Sequence, residues 1–333
     1  MSHRDVVVVG CSVGGVEALR GLIGALPAGF PASVFVVLHT SPHSRSSLPQ
    51  ILERAGPLPA AHAENGEAIV PGRIYVAPPD HHLLIDEGKV RVVRGPRENR
   101  HRPAIDPLFR SAARWCGPRV IGVVLSGALD DGAGGMLAVK QRGGIAIVQD
   151  PEEALCGEMP RKVMDKVPVD HVAPVREIAH LLAKLTAETI APREPEVSPR
   201  LIKETEIAEF DMDAIEDDER PGTPSEFACP DCGGVLWLKD EQPLMLFRCR
   251  VGHAFAADSL QATQSEAVES ALWAAMRALE EDASLARRLA GMSEQRQQKE
   301  MFDRYEERAR EKTEQAAILR NLILEAQKVP QER

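Results

Sequence analysis

Asp5-Val6-Val7-Val8-Val9-Gly10-Cys11-Ser12-Val13-Gly14-Gly15-Val16 is the stretch on which the fold turns. Its four consecutive valines do not alternate with polar residues, the pattern of a strand covered by helices on both faces. After the glycine-rich turn, Val16, Leu19, Leu22 and Ile23 recur at helical spacing. Strand, tight turn and helix put Ser12 at the carboxyl end of the strand. There the helix N-terminus offers unpaired N–H groups and a partial positive charge to an oxyanion. Gly10, Ser12 and Gly14 also fit the G-x-S-x-G pattern of a nucleophile elbow. A phosphate-gripping turn would stand in the same place. It is disfavoured because Ser12 occupies the middle glycine of G-x-G-x-x-G, and because the second strand ends in His39, where a ribose would need an acid.

Outward from this turn, β-branched runs alternate with helical stretches as far as about Leu185. Strands are expected at Val6–Val9, Ser33–Leu38, Arg73–Ala77, Val120–Leu125 and Ile145–Val148. His81–Ile85 and Val90–Arg94, separated by Asp86-Glu87-Gly88-Lys89, read as an antiparallel hairpin added to that sheet. The fold class is therefore α/β, a doubly wound, mainly parallel sheet with an added hairpin, over residues 1–190.

His39 closes the second strand and so lies at the same sheet edge as Ser12 if the two strands are neighbours. A histidine at a strand end is more often a surface residue; only its place beside Ser12 argues otherwise. The strand ending in Leu125-Ser126-Gly127 leads to Asp130 and Asp131, either of which can orient the imidazole or merely cap the next helix. Cys11 is a rival nucleophile on paper, but adjacent residues project differently and a small buried thiol is the commoner role. Arg100, His101 and Arg102 read either as a solvated loop or as a cleft lining that attracts an acidic segment.

Gly10-Cys11-Ser12-Val13-Gly14-Gly15, Leu38-His39, Ile74 to Asp80, Arg102 to Phe109, Leu125-Ser126-Gly127 with Asp131-Gly132, and Met159-Pro160 resemble, in order, the motifs of the catalytic domain of chemotaxis protein-glutamate methylesterases. The resemblance covers about residues 5 to 185. It implies Ser12 as nucleophile, His39 as general base and Asp131, not Asp130, as the acid orienting the histidine. It implies Val13, Arg102, Ala128 and Met159 at the oxyanion and substrate side. It implies hydrolysis of glutamate γ-methyl esters on chemoreceptor cytoplasmic helices, deamidation of receptor glutamines as a second activity, and no cofactor for catalysis. Val13 stands where the family usually has threonine, and Ala128-Leu129-Asp130 where it has Met-Gly-Asn. Only Met1 to Asp5 precede the first strand, so the family's phosphoacceptor receiver domain is expected to be absent.

Beyond residue 190 the composition changes. Residues 191–225 hold four prolines from Pro192 to Pro221, and from Lys203 to Arg220 nine acidic residues against two basic ones, which reads as a solvated linker. In residues 226–257, Cys229-x2-Cys232 and Cys249-x3-His253 have the spacing of a closed, tetrahedral, structural Zn²⁺ site in a zinc-ribbon-like module. So small a module needs metal to fold. Residues 258–330 then carry two helical stretches, with Val268, Leu272, Ala275, Leu279, Ala286 and Leu289 periodic in the first and Phe302, Tyr305, Ala309, Ala316, Leu319 and Ile323 in the second. A helical hairpin broken near Gly291-Met292-Ser293 is expected, suited to docking other chemosensory proteins. With the metal assigned to this second half, residues 1–190 are expected to fold and keep a competent site alone.

A net charge of -10 argues against sequence-independent nucleic-acid binding, and the longest apolar runs are far shorter than the ~20 residues of a membrane span. Clustered cysteines with metal spacing point to a reducing, cytoplasmic setting. The alternative to an ester hydrolase is a non-catalytic signalling adaptor of the same fold that binds partners through its zinc and helical parts.

Overall fold

The computed structural model describes residues 2–43, 45–190, 195–216, 222–241 and 244–326. Seven strands form one parallel sheet in the spatial order His171–Ala173, Ile145–Gln149, Val120–Val124, Val6–Cys11, Ser33–Leu38, Ile74–Val76, Ala60–His62. The valine run is thus the central strand. Its Cys11 pairs in register with Leu38, and its Gly10 with Val124. Alternate side chains feed two cores. Val6, Val8, Phe35 and Val37 pack under the helices Ile105–Cys116 and Ala133–Gln141, whereas Val7, Val9, Val34 and Val36 pack under Gly15–Gly24, Leu48–Ala55 and Val175–Ala187. A strand that loses both faces to helices must be apolar at every position, which is why the run does not alternate.

The chain leaves the central strand toward Ser33–Leu38 on one side and returns to Val120–Val124 on the other. The direction of winding reverses beside the carboxyl end of Val6–Cys11, and such a switch point leaves a crevice that no crossover covers.

The hairpin forms at His82–Asp86 and Lys89–Val93 as a two-stranded sheet of its own, with Lys89 also bridged to Ala68. The expected added hairpin is present, attached through a helix and not by strand pairing with the main sheet: the helix Ile105–Cys116 lies against it, and the Ser111 hydroxyl accepts the Ile85 N–H at 3.1 Å.

The expected solvated linker at 191–225 is also corrected. Residues 191–194 and 217–221 lie outside the described residues, but between them Pro199–Ala208 is a helix capped by the Ser198 hydroxyl, with Leu201, Thr205, Ile207 and Ala208 buried. Its acidic surplus does not keep it in water, because Glu204 is buried against the cations of Lys239 and Arg248. Burial alone would raise the Glu204 carboxyl; Arg248, Lys239 and Arg110 instead hold it well below the usual range.

The cysteine module is a four-stranded antiparallel sheet, Thr223–Ala228, Val235–Glu241, Leu244–Cys249 and Ala254–Ala256. It belongs to the same compact unit as the parallel sheet, Met1–Leu260. Gln261–Arg333 make a second unit, in which the remainder of the helix Ala257–Gln295 runs antiparallel to Lys299–Ala326. Arg287 donates to Thr313 at 2.6 Å and Arg308 pairs with Asp282 at 3.0 Å, while Met276, Ala316 and Ile323 are buried between the two helices. The break falls at Gln297, not near Gly291, and Val268 is exposed, outside the apolar seam expected for it.

Candidate active site and metal centre

Ser12 follows the central strand directly. Its N–H donates to the Ser126 carbonyl at 2.9 Å, and its carbonyl accepts from Gly15 N–H at 2.9 Å, closing the turn before the helix Gly15–Gly24. Gly14 takes φ 76°, and a Cβ there would lie 2.7 Å from both the Leu155 Cβ and the Ser126 Oγ. Only glycine meets both demands. Val13 is exposed, its carbonyl accepts the Ser126 hydroxyl at 2.7 Å, and its N–H donates to no acceptor among the described residues.

His39 hydrogen-bonds through Nε2 to Asp131 Oδ2 at 2.7 Å, with both side chains buried. The other ring nitrogen, Nδ1, is buried without a hydrogen-bond partner among the described residues. Asp131 also accepts from the N–H groups of Ile105 (2.7 Å) and Asp106 (3.2 Å) and from the Asn99 amide (2.9 Å). Burial would raise its carboxyl, but the bond and charge of His39, with the Ile105 and Asn99 donors, hold it well below the usual range. Asp106, buried beside it, is pushed up by burial first and then by the charge of Asp131. A carboxylate facing this many donors accepts, so it suits a proton on His39 Nε2, with Nδ1 as the nitrogen left without a hydrogen-bond partner among the described residues.

Asp130 points elsewhere. Its carboxylate meets Lys166 at 2.9 Å and the Ser259 hydroxyl at 2.7 Å. Cys11 is fully buried, and burial pushes its thiol far up.

Ser12 and His39 open together into a cavity of about 480 Å³, lined also by Thr40, Arg97, Arg100, His101 and Arg102. Arg102 is held by Asp80 at 2.6 Å and by the Gly95 carbonyl at 2.7 Å. Burial would raise Asp80, yet Arg102 and Arg94 bring it below the usual range. His101 stacks on His39, ring centroids 3.6 Å apart. The 100–102 segment is therefore a cleft lining, one of the two readings open in the sequence. Of the residues expected on the substrate side, Arg102 lines the cavity, whereas Val13, Ala128 and Met159 do not; Met159 is buried against Gly127. Sequence reasoning missed Asn99 and singled out no role for Arg97. The one available signal was their place just ahead of Arg100-His101-Arg102-Pro103.

The ligand atoms of Cys229, Cys232, Cys249 and His253 lie within 4.8 Å of one another. Cys232 and Cys249 sulfurs are 3.6 Å apart, and the His253 Nδ1 is 3.7 and 3.6 Å from the sulfurs of Cys229 and Cys249. A tetrahedral ion with metal–sulfur bonds near 2.3 Å sets ligand–ligand edges of about 3.7 Å, so the group can hold a metal ion.

A serine at a sheet-edge turn, with a histidine and a buried acid on neighbouring strands, defines a carboxylic ester hydrolase built on an α/β fold. Residues 7–182 match the family model described as CheB methylesterase. A Leptospira interrogans (serovar copenhageni) protein, provisionally named protein-glutamate methylesterase/protein-glutamine glutaminase, is 37% identical over 192 residues, which are 57% of this chain and 100% of that protein. The protein-glutamate methylesterase/protein-glutamine glutaminase of Photorhabdus laumondii is 36% identical over 192 residues. That match covers 56% of this chain and 55% of the relative, so the chain spans about half the relative's length. The crystal structure of the Thermotoga maritima CheB methylesterase catalytic domain superposes with a TM-score of 0.53 at 35% identity, covering 56% of this chain and 100% of that one. The chain belongs to the CheB methylesterase family.

Proposed function

We propose that this protein hydrolyses glutamate γ-methyl esters on the cytoplasmic helices of chemoreceptors, with Ser12 as nucleophile, His39 as general base and Asp131 as the orienting acid. The observation that carries it is the His39 pairing: Nε2 is committed to Asp131 at 2.7 Å, which leaves Nδ1 as the one nitrogen able to take a proton from a hydroxyl in the same cavity. The Ser12 hydroxyl attacks the ester carbonyl and passes its proton to His39 Nδ1. Negative charge on the carbonyl oxygen faces the Val13 N–H at the helix N-terminus, for which the missing threonine hydroxyl is not needed. Methanol departs with the His39 proton, and water, deprotonated by the same nitrogen, releases the glutamate from Ser12. A glutamine side chain in the same place would lose ammonia, so deamidation is the second activity.

Arg97, Arg100 and Arg102 around the cavity suit an acidic receptor segment. Cys229, Cys232, Cys249 and His253, three thiols and an imidazole with no leftover acid, are the donor set of a structural Zn²⁺, which would supply folding energy to its module and no chemistry to the ester. The modules we assign are 1–190 for catalysis, 226–257 for zinc and 258–330 as helical hairpin, the last for docking other chemosensory proteins. We place the protein in the cytoplasm, where clustered thiols stay reduced. No described helix is long and apolar enough to cross a membrane. The adaptor alternative is not favoured, since an idle site has no need of a buried acid held by four donors.

Methanol release from methylated receptor separates these readings. Wild type should turn over, and Ser12→Ala should lose at least ~10³-fold. Equal rates in the two proteins would exclude the serine mechanism.

A further inference from the structure

The cysteine module meets the catalytic machinery at Asn99. Asn99 is 2% exposed and sits between the last ribbon strand, Ala254–Ala256, and the acid of the site. Its Oδ1 accepts the Ala256 N–H at 2.7 Å, and its Nδ2 donates to Asp131 Oδ1 at 2.9 Å and to Asp106 Oδ2 at 3.0 Å. The amide orientation follows from its partners: a backbone N–H requires the oxygen, and two carboxylates require the NH₂. The main chain is clasped as well. Asn99 N–H donates to the Ala254 carbonyl at 2.8 Å, and Ala254 N–H to the Arg97 carbonyl at 3.2 Å.

This clasp begins at the metal group itself. His253 immediately precedes Ala254, and its carbonyl accepts the Cys249 N–H at 2.9 Å. Arg248, next to Cys249, donates to the Gly252 carbonyl at 2.6 Å and meets Glu98 at 3.1 Å, which is itself held by both of its oxygens on Arg110 at 2.7 Å. On the far side of the site, Ser259 and Lys166 fix Asp130, the neighbour of Asp131. The clasped segment, 97–102, carries three arginines of the cavity and the imidazole stacked on His39.

We propose that the metal-binding ribbon is a brace of the active site: Asn99 is a positioning residue that ties the ribbon strand to Asp131, and the bound ion keeps the 97–102 segment in its working place. The inference rests on the zinc and triad readings above. A structural ion whose ligand adjoins the bracing strand then sets turnover without touching the ester. This departs from the expectation that residues 1–190 are self-sufficient, because Asn99 is held on one side by the ribbon strand, through the Ala256 N–H and the Ala254 carbonyl.

The test uses the full chain and four proteins: wild type, Asn99→Ala, Cys232→Ser and the double variant. Each is assayed for zinc content, kcat and KM on a methylated receptor peptide, and amide hydrogen exchange over 97–106. Asn99→Ala should keep one zinc, keep KM and lose kcat by ~10- to 100-fold, the range that small misplacements of reacting groups produce. Cys232→Ser should lose the zinc, speed exchange within 97–102 more than in the sheet strands, and lose kcat to a similar extent. The double variant should be no worse than the poorer single one. A Cys232→Ser protein that lacks zinc but keeps wild-type kcat and exchange at 97–102 overturns the brace, as does an Asn99→Ala protein with full kcat. If wild type carries no zinc, the metal reading fails while the Asn99 arm still decides the link to Asp131. Loss of methanol release from Ser12→Ala alone tests the triad independently of both.

Discussion

The imidazoles of His39 and His101 lie face to face, ring centroids 3.6 Å apart and planes 10° from parallel. Two charged rings cannot share that stack. Burial, and next the adjacent His39, push His101 from its ordinary 6.5 down to about 3, so it is neutral wherever the enzyme works. The unfolded chain therefore binds one more proton than the folded one between those values, and stability falls as pH drops through that window, by about 1.4 kcal/mol per unit at the steepest. Asp131, held low, adds its own loss only below the ordinary carboxylate value of 3.8. His101→Phe keeps a ring in the stack and removes the upper window. Its melting temperature should fall much less than that of wild type between pH 7 and pH 5, and both should fall below about pH 4. Equal losses in the two proteins between pH 7 and 5 would falsify the assignment of a neutral His101.

Asp131→Asn should cost ~10³- to 10⁴-fold in kcat with little change in KM. The reason is a tautomer: an Asn amide donates to His39 Nε2, which drives the proton to Nδ1 and leaves no base facing Ser12. The variant also removes the charge that pushes Asp106 up, so the Asp106 carboxyl should titrate lower, as ¹³C NMR can follow. Full kcat in this variant would place the orienting role elsewhere.

Gly14 and Gly29 share a left-handed backbone, φ 76° and 79°, but a Cβ at Gly29 meets nothing within 4 Å. Gly29→Ala should therefore show only the cost of the conformation, about 1–2 kcal/mol by denaturant unfolding, with kcat intact. Gly14→Ala adds contact with Leu155 and Ser126 and must move the turn that carries Ser12, so kcat should drop by ~10²-fold. Matching kcat in both variants would show that the turn tolerates the shift.

Two truncations divide the chain differently. Removing residues 261–333 takes away only the second compact unit and should leave kcat on a short methylated peptide within about twofold of wild type. Ending the chain at residue 190 strips Arg248 from Glu98 and Ala256 from Asn99, so melting temperature and kcat should both fall, the latter by at least ~10-fold. A fully active 1–190 fragment would restore the view that the catalytic module stands alone.

Periodicity alone determined much of this protein. An unbroken valine run followed by a glycine turn and a helix can only be a buried parallel strand with its turn at the sheet edge. That reading locates Ser12, and the same reasoning locates His39 and the acid, since each ends a strand and parallel strands end on one side. The cysteine and histidine spacing likewise marked the group able to hold a metal ion, because residues close in sequence need only a tight turn to converge. What the sequence left open depends on distance in space between segments far apart in the chain. Strand position alone does not separate Asp130 from Asp131, and only the family resemblance favoured Asp131; the packing of Ile105, Asn99 and Lys166 around them supplies the physical reason their side chains point apart. The segment 199–208 is acidic enough to read as a solvated linker, and it is buried because Arg248 and Lys239, more than thirty residues on, neutralise Glu204. Asn99 carries no motif at all. Its importance comes from a single amide facing two carboxylates on one side and a strand 157 residues away on the other, and no local pattern encodes a contact between groups whose separation in the chain is so large.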